Sequence, residues 1–246
     1  MTTANRTEFG ETWVYESIIS ALPGIEIPNT LAIGIQLVFF ETAVLVFAAW
    51  DNNVAIAIVG TAAVLLATLG SVEMLRISRL VRSRAVPTSY KRLLFGSKVE
   101  TVLGVLVYVA LITHLFVFEP QQSVQPLLHS LLGSNPPIVV MYVLLLVGWD
   151  ISYRIGTNWW ASLLGLWRAG RYRLSGTGSR EFDLDPETAR LLRRADSETA
   201  LFGLLQLSIV PVLEPGSVLQ NVLIAHVIAV VVVSGTAAIL MTPSFQ

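Results

Sequence analysis

Three charged side chains lie inside segments that are otherwise apolar enough to cross a membrane. Glu41 is at the centre of residues 30–50, and Asp150 and Arg154 lie four residues apart within 138–157. Residues four apart share one face of a helix. Charged groups at membrane depth are costly and are typical of ion or proton pathways. The candidate transport-path residues are Glu41, Asp150, Arg154, Tyr153 and Asn158.

A structural interpretation of the same charges stays open. Asp150 and Arg154 can neutralise each other, and the long Arg154 side chain can extend toward the cytoplasm. This leaves Glu41 without a partner. Either burial keeps Glu41 protonated, or Glu41 competes with Asp150 for Arg154. A carboxylate that can change its protonation near an ion pair is the minimum that proton-coupled or cation movement requires. In the structural interpretation, the same charges only link the helices of the bundle.

Two histidines offer a different chemistry. His114 lies near the outer end of one predicted span and His226 lies in the outer half of another. Two histidines on different helices at similar depth can hold a haem b through both axial positions. A lone membrane histidine more often forms a hydrogen bond between helices. Haem is therefore the third hypothesis, and no other cofactor is expected.

The sequence contains none of the catalytic motifs that are typical of the common enzyme classes. The chain has no HExxH zinc motif, no GxSxG nucleophile turn and no glycine-rich phosphate or dinucleotide motif. It has no cysteine, which excludes disulfides, cysteine–zinc sites and thiol catalysis. The sequence therefore predicts no metal site and does not favour an enzyme.

Composition defines the elements that must position these residues. Of 246 residues 54% are hydrophobic and 13% are charged, with a mean hydropathy of +0.67. A helix that crosses the hydrocarbon layer needs about 20 mainly apolar residues. We predict an all-α, six-helix integral membrane bundle. Its spans are 30–50, 54–75, 99–118, 138–157, 197–213 and 218–241.

The basic residues predict the orientation of the bundle. All of them except Arg6 and Arg154 fall within 76–98 and 158–196. Cytoplasmic loops collect lysine and arginine. Six spans place both of these stretches on the cytoplasmic side, together with the N- and C-termini. The segments on the outer side then contain no basic residue.

Several cytoplasmic segments have interfacial character. Residues 1–29 are predicted to contain an amphipathic helix, 76–86 to extend the second span, and 158–170 either to lie on the membrane or to extend the fourth span. Asp185 is predicted to cap a short helix that starts at Pro186, and Asp196 to cap the fifth span. The candidate lipid-headgroup residues are Arg76, Arg79, Arg82, Arg84, Lys91, Arg92, Arg168 and Arg171.

The amino-acid bias resembles that of one group of proteins. Arginine outnumbers lysine 14 to 2, cysteine is absent, and residues 181–187 form an acidic run. In this bias the chain resembles the uncharacterised multi-pass membrane proteins of haloarchaea. The resemblance covers composition along the whole chain and contains no diagnostic motif. It implies an archaeal cell membrane and no particular activity.

The leading functional hypothesis is a small transporter or channel for protons, cations or a small solute. The alternative is a membrane scaffold or sensor that acts through its basic cytoplasmic loops. The expected partners are the lipid bilayer and anionic lipid headgroups, and nucleic acid is not expected. Association into a homo-oligomer is left open by the sequence.

Overall fold

The computed structural model describes residues 28–123, 126–133, 135–174 and 182–242. These residues form helices joined by short connections. The α-helices are α1 (Asn29–Trp50), α2 (Val54–Ser83), α3 (Thr88–Gly96), α4 (Val99–Thr113), α5 (Glu119–Gln122), α6 (Leu127–Leu132), α7 (Ile138–Leu174), α8 (Pro186–Leu205) and α9 (Val218–Leu240). A π-helix (His114–Phe118) joins α4 to α5, and a 3-10 helix (Gln206–Val212) follows α8.

Five helical stretches within the described residues are long and apolar enough to cross a membrane. They are α1, α2, the continuous run Thr88–Gln122, α7 and α9. Large apolar side chains on these helices are exposed, among them Val38 at 65%, Leu106 at 60% and Ile239 at 73%. Exposed apolar helix faces of this kind suit contact with lipid rather than with water. The chain is therefore compatible with a membrane protein.

Turn residues explain where the first helices begin and end. Asn52 has φ 50° in the turn between α1 and α2, and the Asn53 side chain accepts a hydrogen bond from Ala55 N at 3.0 Å. This contact caps the start of α2. Helix α2 continues past residue 75 as predicted, but it ends at Ser83, before the predicted limit of residue 86. Pro87 then separates α2 from α3.

The π-helix has a local cause. Pro120 lies at the start of α5, directly after the π-helix. Proline has no N–H to donate, and its ring clashes with the carbonyl four residues earlier. The backbone N–H of Glu119 bonds to the carbonyl of His114 instead, five residues back. A π-type turn therefore carries the helix past the proline.

Helix α7 is one continuous element of 37 residues. The structure thus selects the second of the two predictions for residues 158–170, because they extend the fourth span. Helix α7 packs against α2, α4 and α9 and forms the centre of the described bundle. Its length is about 55 Å, well beyond the hydrocarbon thickness of about 30 Å.

Helix α8 differs from its prediction. Asp185 caps it as predicted, with the carboxylate accepting a hydrogen bond from Thr188 N at 2.9 Å. Hydrogen bonds from Thr188 hold the pKa of Asp185 below its usual value. The helix is not short, however, because it runs on to Leu205. The prediction that Asp196 caps a separate helix is therefore wrong, since Asp196 lies in the middle of α8.

Side-chain contacts define two ends of the bundle. We call the end that carries Arg79, Arg84, Arg92 and Arg171 the arginine-rich end. There, Arg84 Nη2 lies 2.9 Å from Glu187 Oε1. At the opposite end, Asn53 donates to the Leu131 carbonyl at 3.2 Å, and Ser123 donates to Glu214 at 3.1 Å. The chain from Pro186 to Val212 therefore starts at the arginine-rich end and finishes at the opposite end.

Two kinds of packing hold the helices together. A cluster of buried apolar residues, including Val81, Leu94 and Leu192, fills the arginine-rich end. Nearer the middle, α4 crosses α7 where Gly104 faces Gly156, and a Cβ on Gly156 would lie 2.8 Å from Gly104 Cα. Small residues let membrane helices approach closely. Of residues 1–29, for which an interfacial helix is predicted, only 28 and 29 belong to the described part of the chain.

Candidate functional site

Asp150 and Arg154 form an ion pair inside the bundle. Arg154 Nη2 lies 2.9 Å from Asp150 Oδ1, one helical turn away on α7. The two residues are only 6% and 3% exposed. Arg154 Nη1 also contacts Met74 Sδ on α2 at 3.1 Å. The pair therefore sits in the interface between α2 and α7.

A first cavity adjoins the carboxylate of this pair. Asp150 lines it together with Gln36 of α1 and Thr68 of α2. Its volume is about 10 Å³, which is about the space that one water molecule needs. Asp150 Oδ2 has no hydrogen-bond partner among the described residues. The carboxylate thus has one oxygen bound to Arg154 and one oxygen without a protein donor.

A second cavity adjoins the guanidinium. Arg154, Asn158 and Glu73 are among the residues that line it, and its volume is again about 10 Å³. The amide nitrogen Nδ2 of Asn158 is buried and has no hydrogen-bond acceptor in the described part of the chain. Arg154 packs closely against Gly70, where an added Cβ would lie only 3.2 Å from Arg154 Cβ. The ion pair therefore separates two water-sized cavities.

Charges of alternating sign lead from the second cavity, which Glu73 and Arg154 both line, to the surface of the arginine-rich end. Glu73 binds Arg76 through two hydrogen bonds of 3.1 and 3.2 Å. Arg76 also pairs with Glu198 of α8. Glu198 in turn accepts a hydrogen bond from Arg194 at 2.7 Å. We use the name charge ladder for six residues: Asp150, Arg154, Glu73, Arg76, Glu198 and Arg194.

Glu41 lies nearer the opposite end and outside the charge ladder. Its Oε1 accepts a hydrogen bond from Thr61 of α2 at 2.7 Å, and its buried Oε2 has no hydrogen-bond partner within the described ranges. Along α2, Thr61 lies about 20 Å from Met74, which contacts Arg154. It lies only about 10 Å from Thr68, which lines the first cavity. Glu41 is thus offset from the ion pair toward the opposite end.

Tyr153 packs beside the ion pair through its aromatic ring. Its ring stacks on Trp149 with centroids 6.1 Å apart, and Arg154 Cζ lies 5.8 Å from its centroid. The Tyr153 backbone also fixes the crossing with α4, because a Cβ on Gly104 would lie 3.1 Å from Tyr153 Cα. Tyr153 therefore helps to fix the position of Arg154.

The structure gives His226 partners on both ring nitrogens. Trp159 Nε1 donates to His226 Nδ1 at 2.7 Å, and His226 Nε2 lies 2.9 Å from Gln206 Oε1. A haem iron needs a ring nitrogen whose lone pair is available. Binding haem here would require at least one of these contacts to break. His114 lies in the π-helix on the other side of α7, and its buried Nε2 has no partner among the described residues.

The structure contains a second buried ion pair, which was not predicted from the sequence. Arg168 was predicted to contact lipid headgroups, but it is only 1% exposed. Its Nη2 lies 2.5 Å from Asp196 Oδ2. It also donates to the Tyr90 hydroxyl at 3.1 Å. Gly165 permits this contact, because a Cβ there would lie 2.8 Å from Asp196 Oδ1. Arg168 thus joins α3, α7 and α8 instead of facing lipid. No spacing in the sequence indicates this pairing.

The other headgroup candidates divide between the surface and ion pairs. Arg79, Arg92 and Arg171 are exposed, and Arg82 and Lys91 are partly exposed. Arg76 and Arg84 pair with acidic residues of α8. Glu100 of α4 is fully buried, and neither of its carboxylate oxygens has a hydrogen-bond partner among the described residues.

Comparison with known proteins places the chain in a family. Residues 8–237 match the model of a family described as a family of unknown function (DUF7530). No curated protein and no solved structure matches the chain. The family match covers most of the 246 residues. The chain therefore belongs to the DUF7530 family, whose function is unknown.

Proposed function

We propose that the chain crosses the membrane six times. Five stretches meet the length and composition criteria, and the sixth crossing is the second half of α8 with the 3-10 helix. Residues 197–205 rise about 14 Å as an α-helix, and residues 206–212 rise about 14 Å in the longer step of a 3-10 helix. Their sum of about 28 Å is close to the hydrocarbon thickness. The contacts of Glu187 and Glu214 at opposite ends support this path.

The orientation of the proposed bundle follows from its charges. The exposed basic residues Arg79, Arg92 and Arg171 lie at the arginine-rich end. Basic residues near membrane helices accumulate on the cytoplasmic side. We place this end in the cytoplasm of the cell, with the segments before α1 and after α9 on the same side.

We further propose that the protein moves a small ion across the membrane through the interface between α2 and α7. The observation that carries this proposal is the buried Asp150–Arg154 pair with a water-sized cavity on each side. Glu41 and Thr61 form the outer approach to the first cavity. Glu73, Arg76 and Glu198 form the cytoplasmic side, with Asn158 and Tyr153 supporting Arg154.

Unpaired polar atoms favour a path over a structural link. A buried ion pair stabilises a fold when its remaining donors and acceptors are also bonded. Here Asp150 Oδ2 and Asn158 Nδ2 have no hydrogen-bond partner within the described residues, and both residues line cavities. Water inside those cavities would satisfy them. Groups that bind mobile water beside a membrane charge suit ion passage.

Ion flux into sealed liposomes tests the proposal. Purified protein is reconstituted, gradients of H⁺, K⁺ and Na⁺ are imposed in turn, and the wild type is compared with Asp150→Asn. We expect the wild type to dissipate at least one gradient faster than empty vesicles and Asp150→Asn to reduce that flux by about tenfold or more, a barrier increase of about 1.4 kcal/mol.

A matched variant distinguishes loss of the transport path from general damage to the protein. Glu187→Gln removes an exposed carboxylate of α8 that pairs with Arg84, and it should leave the flux unchanged. Equal leakage from wild type, Asp150→Asn and empty vesicles for all three ions would overturn the transport proposal. A scaffold would instead respond to charge reversal of Arg79, Arg92 and Arg171, measured as loss of binding to anionic vesicles.

A further inference from the structure

We infer that Glu100 is a proton-binding site and that its bound proton holds α4 against α7. Glu100 lies in the first turn of α4 and is fully buried. Neither of its carboxylate oxygens has a hydrogen-bond partner among the described residues. The site lies apart from the proposed ion path. Helix α7 meets α4 at Gly156 and α2 at Arg154, two residues earlier and about 200° around the helix axis.

The backbone of Glu100 takes part in the crossing of α4 and α7. A Cβ on Gly156 would lie 2.9 Å from the Glu100 carbonyl oxygen. One turn further along α4, a Cβ on Gly104 would lie 3.1 Å from Tyr153 Cα. Backbones in such close contact leave no space for a layer of water between them. The carboxyl group is thus enclosed by the same contact that brings the two helices together.

The first turn of α4 offers this carboxyl group few hydrogen-bond donors. A carboxylate that leaves water needs donors or a cation in exchange. The backbone N–H groups of Thr101 and Val102 bond to the Lys98 carbonyl oxygen at 3.1 and 3.4 Å. Val99 N lies 3.5 Å from Ser97 Oγ. These three N–H groups are therefore engaged and do not offset the cost of a buried negative charge.

Lys98 is the charged group that acts on the site. Burial opposes the carboxylate form of Glu100, whereas the dipole of its own N–H and the ammonium of Lys98 favour it. Because the Lys98 side chain is exposed, water weakens its attraction for the carboxylate. Burial therefore dominates, and the neutral form with a proton on one carboxyl oxygen is the form that fits the site.

The other titratable groups nearby do not bind Glu100. None of those on α3, α4 and the π-helix, or on α7 within three turns of Gly156, is its hydrogen-bond partner. These residues are Tyr90, Lys91, Arg92, Tyr108, His114, Asp150, Tyr153 and Arg154. The protonation of Glu100 is thus set by its burial and by Lys98.

Loss of the proton should loosen the crossing. As the pH rises, hydroxide takes the proton, the O–H bond of the carboxyl group breaks, and water and a carboxylate remain. The carboxylate then needs water, and the exposed Lys98 marks a nearby surface. Lys98 has φ 55°, which residues other than glycine adopt only at a cost. Movement of the first turn of α4 toward this surface relieves that strain and separates α4 from α7.

Infrared spectroscopy tests the bound proton. Spectra of the protein in nanodiscs are recorded at neutral pH, and the C=O stretching band of protonated carboxylic acids is followed. We expect a band that Glu100→Gln removes and that Glu187→Gln, which changes an exposed carboxylate, leaves in place. Glu100→Asp should shift the band, and it keeps the test decisive if Glu100→Gln does not fold. A spectrum that neither Glu100 variant changes would overturn the proton site.

Hydrogen exchange tests whether the proton holds the crossing. Exchange is measured at about pH 6 and about pH 9, a range in which lysine stays charged. Each rate is divided by that of an unstructured peptide at the same pH. We expect the corrected exchange of residues 100–108 to become about tenfold faster at the higher pH in wild type and Glu187→Gln. It should stay constant in Glu100→Gln, because glutamine does not ionise. Constant exchange in wild type, or the same rise in Glu100→Gln, would overturn the role of the proton.

A change at Lys98 tests the direction of the electrostatic effect. Lys98→Met removes the cation that favours the carboxylate, so the rise in exchange should move to higher pH. Lys98→Arg keeps the charge and should keep the wild-type midpoint. A midpoint that moves to lower pH in Lys98→Met would contradict ionisation of Glu100 as the cause. None of these measurements depends on ion flux, so absence of transport in liposomes would leave the proton site intact.

Discussion

At the scale of single residues, the two buried arginines of α7 have different surroundings. Arg168 binds a tyrosine and an aspartate from two other helices, and its Nη2 also lies 3.4 Å from Met241 Sδ. Arg154 binds an aspartate of its own helix and also lies 3.1 Å from the sulfur of Met74, a weak acceptor. The Arg168–Asp196 pair therefore links two helices, whereas the Arg154–Asp150 pair lies within one helix.

The Arg168–Asp196 pair depends on a glycine. Gly165→Ala adds a Cβ about 2.8 Å from Asp196 Oδ1 and should push the carboxylate away from Arg168. We expect a loss of about 1–3 kcal/mol in the free energy of unfolding, the usual cost of overpacking. Thermal unfolding in detergent, followed by tryptophan fluorescence, measures it.

Gly170→Ala is the matched control for that change. It lies on the same helix, and no atom is within 4 Å of the added Cβ. Alanine favours a helix over glycine by about 1 kcal/mol, so this variant should be neutral or more stable. Equal stability of Gly165→Ala and wild type would show that Asp196 has room to move.

Residue spacing predicted part of the candidate site. Asp150 with Arg154, and Arg194 with Glu198, are four apart and could be paired from the sequence. The links between helices could not be read in this way, because nothing in the spacing brings Arg76 to Glu198 or Arg168 to Asp196. The sequence therefore supplied the ends of the charge ladder, and the packing of α2 against α7 and α8 supplied its middle.

At the scale of elements, the crossing of α4 and α7 is the closest contact of two backbones described above. A Cβ at position 156 would meet Gly104 N and lie 2.9 Å from the Glu100 carbonyl oxygen. Backbone atoms cannot turn away as a side chain can. The two helices can therefore keep this crossing only while residue 156 is glycine.

Gly156→Ala should separate α4 from α7. We expect an unfolding transition lowered by about 2 kcal/mol or more, since strain cannot be relieved by a rotamer change. Gly148→Ala, on the same helix and with its nearest atoms at 3.8 Å, should remain close to wild type. Denaturant titration of both variants, monitored by circular dichroism, makes the comparison. A Gly156→Ala protein as stable as the control would contradict the close crossing.

A local signal predicted one helix start correctly. Asp185 with Pro186 stands at the start of α8, as predicted. The continuity of α8 was missed because Asp196 and Glu198 look like a helix N-terminus in the sequence. Their side chains pair with arginines across helices instead. A local capping signal and a tertiary ion pair use the same residue types.

At the scale of the whole molecule, the number of crossings decides which loops share a side. The chain has no cysteine, so each introduced cysteine is the only one present. Glu187→Cys and Pro215→Cys stand before and after the proposed fifth span. With six crossings they lie on opposite sides of the membrane, and with five they lie on the same side.

Labelling with a membrane-impermeant maleimide distinguishes these arrangements. In oriented vesicles we expect Pro215→Cys and Asn52→Cys to react on one side and Glu187→Cys to react on the other. Labelling after detergent permeabilisation shows that each thiol is accessible. Reaction of Glu187→Cys and Pro215→Cys from the same side would contradict six crossings.

The length of α7 gives the molecule a lever. The Gly104–Gly156 crossing fixes α7 near its middle, and the helix continues from there to Leu174, about 27 Å beyond the fixed point. A tilt of about 5° at the crossing displaces Leu174 by about 2.4 Å. Such a tilt changes little around Asp150, yet it moves the end of the helix by more than the length of a covalent bond. Ile138 lies equally far from the crossing in the other direction, so small rearrangements in the membrane are amplified at both ends of α7.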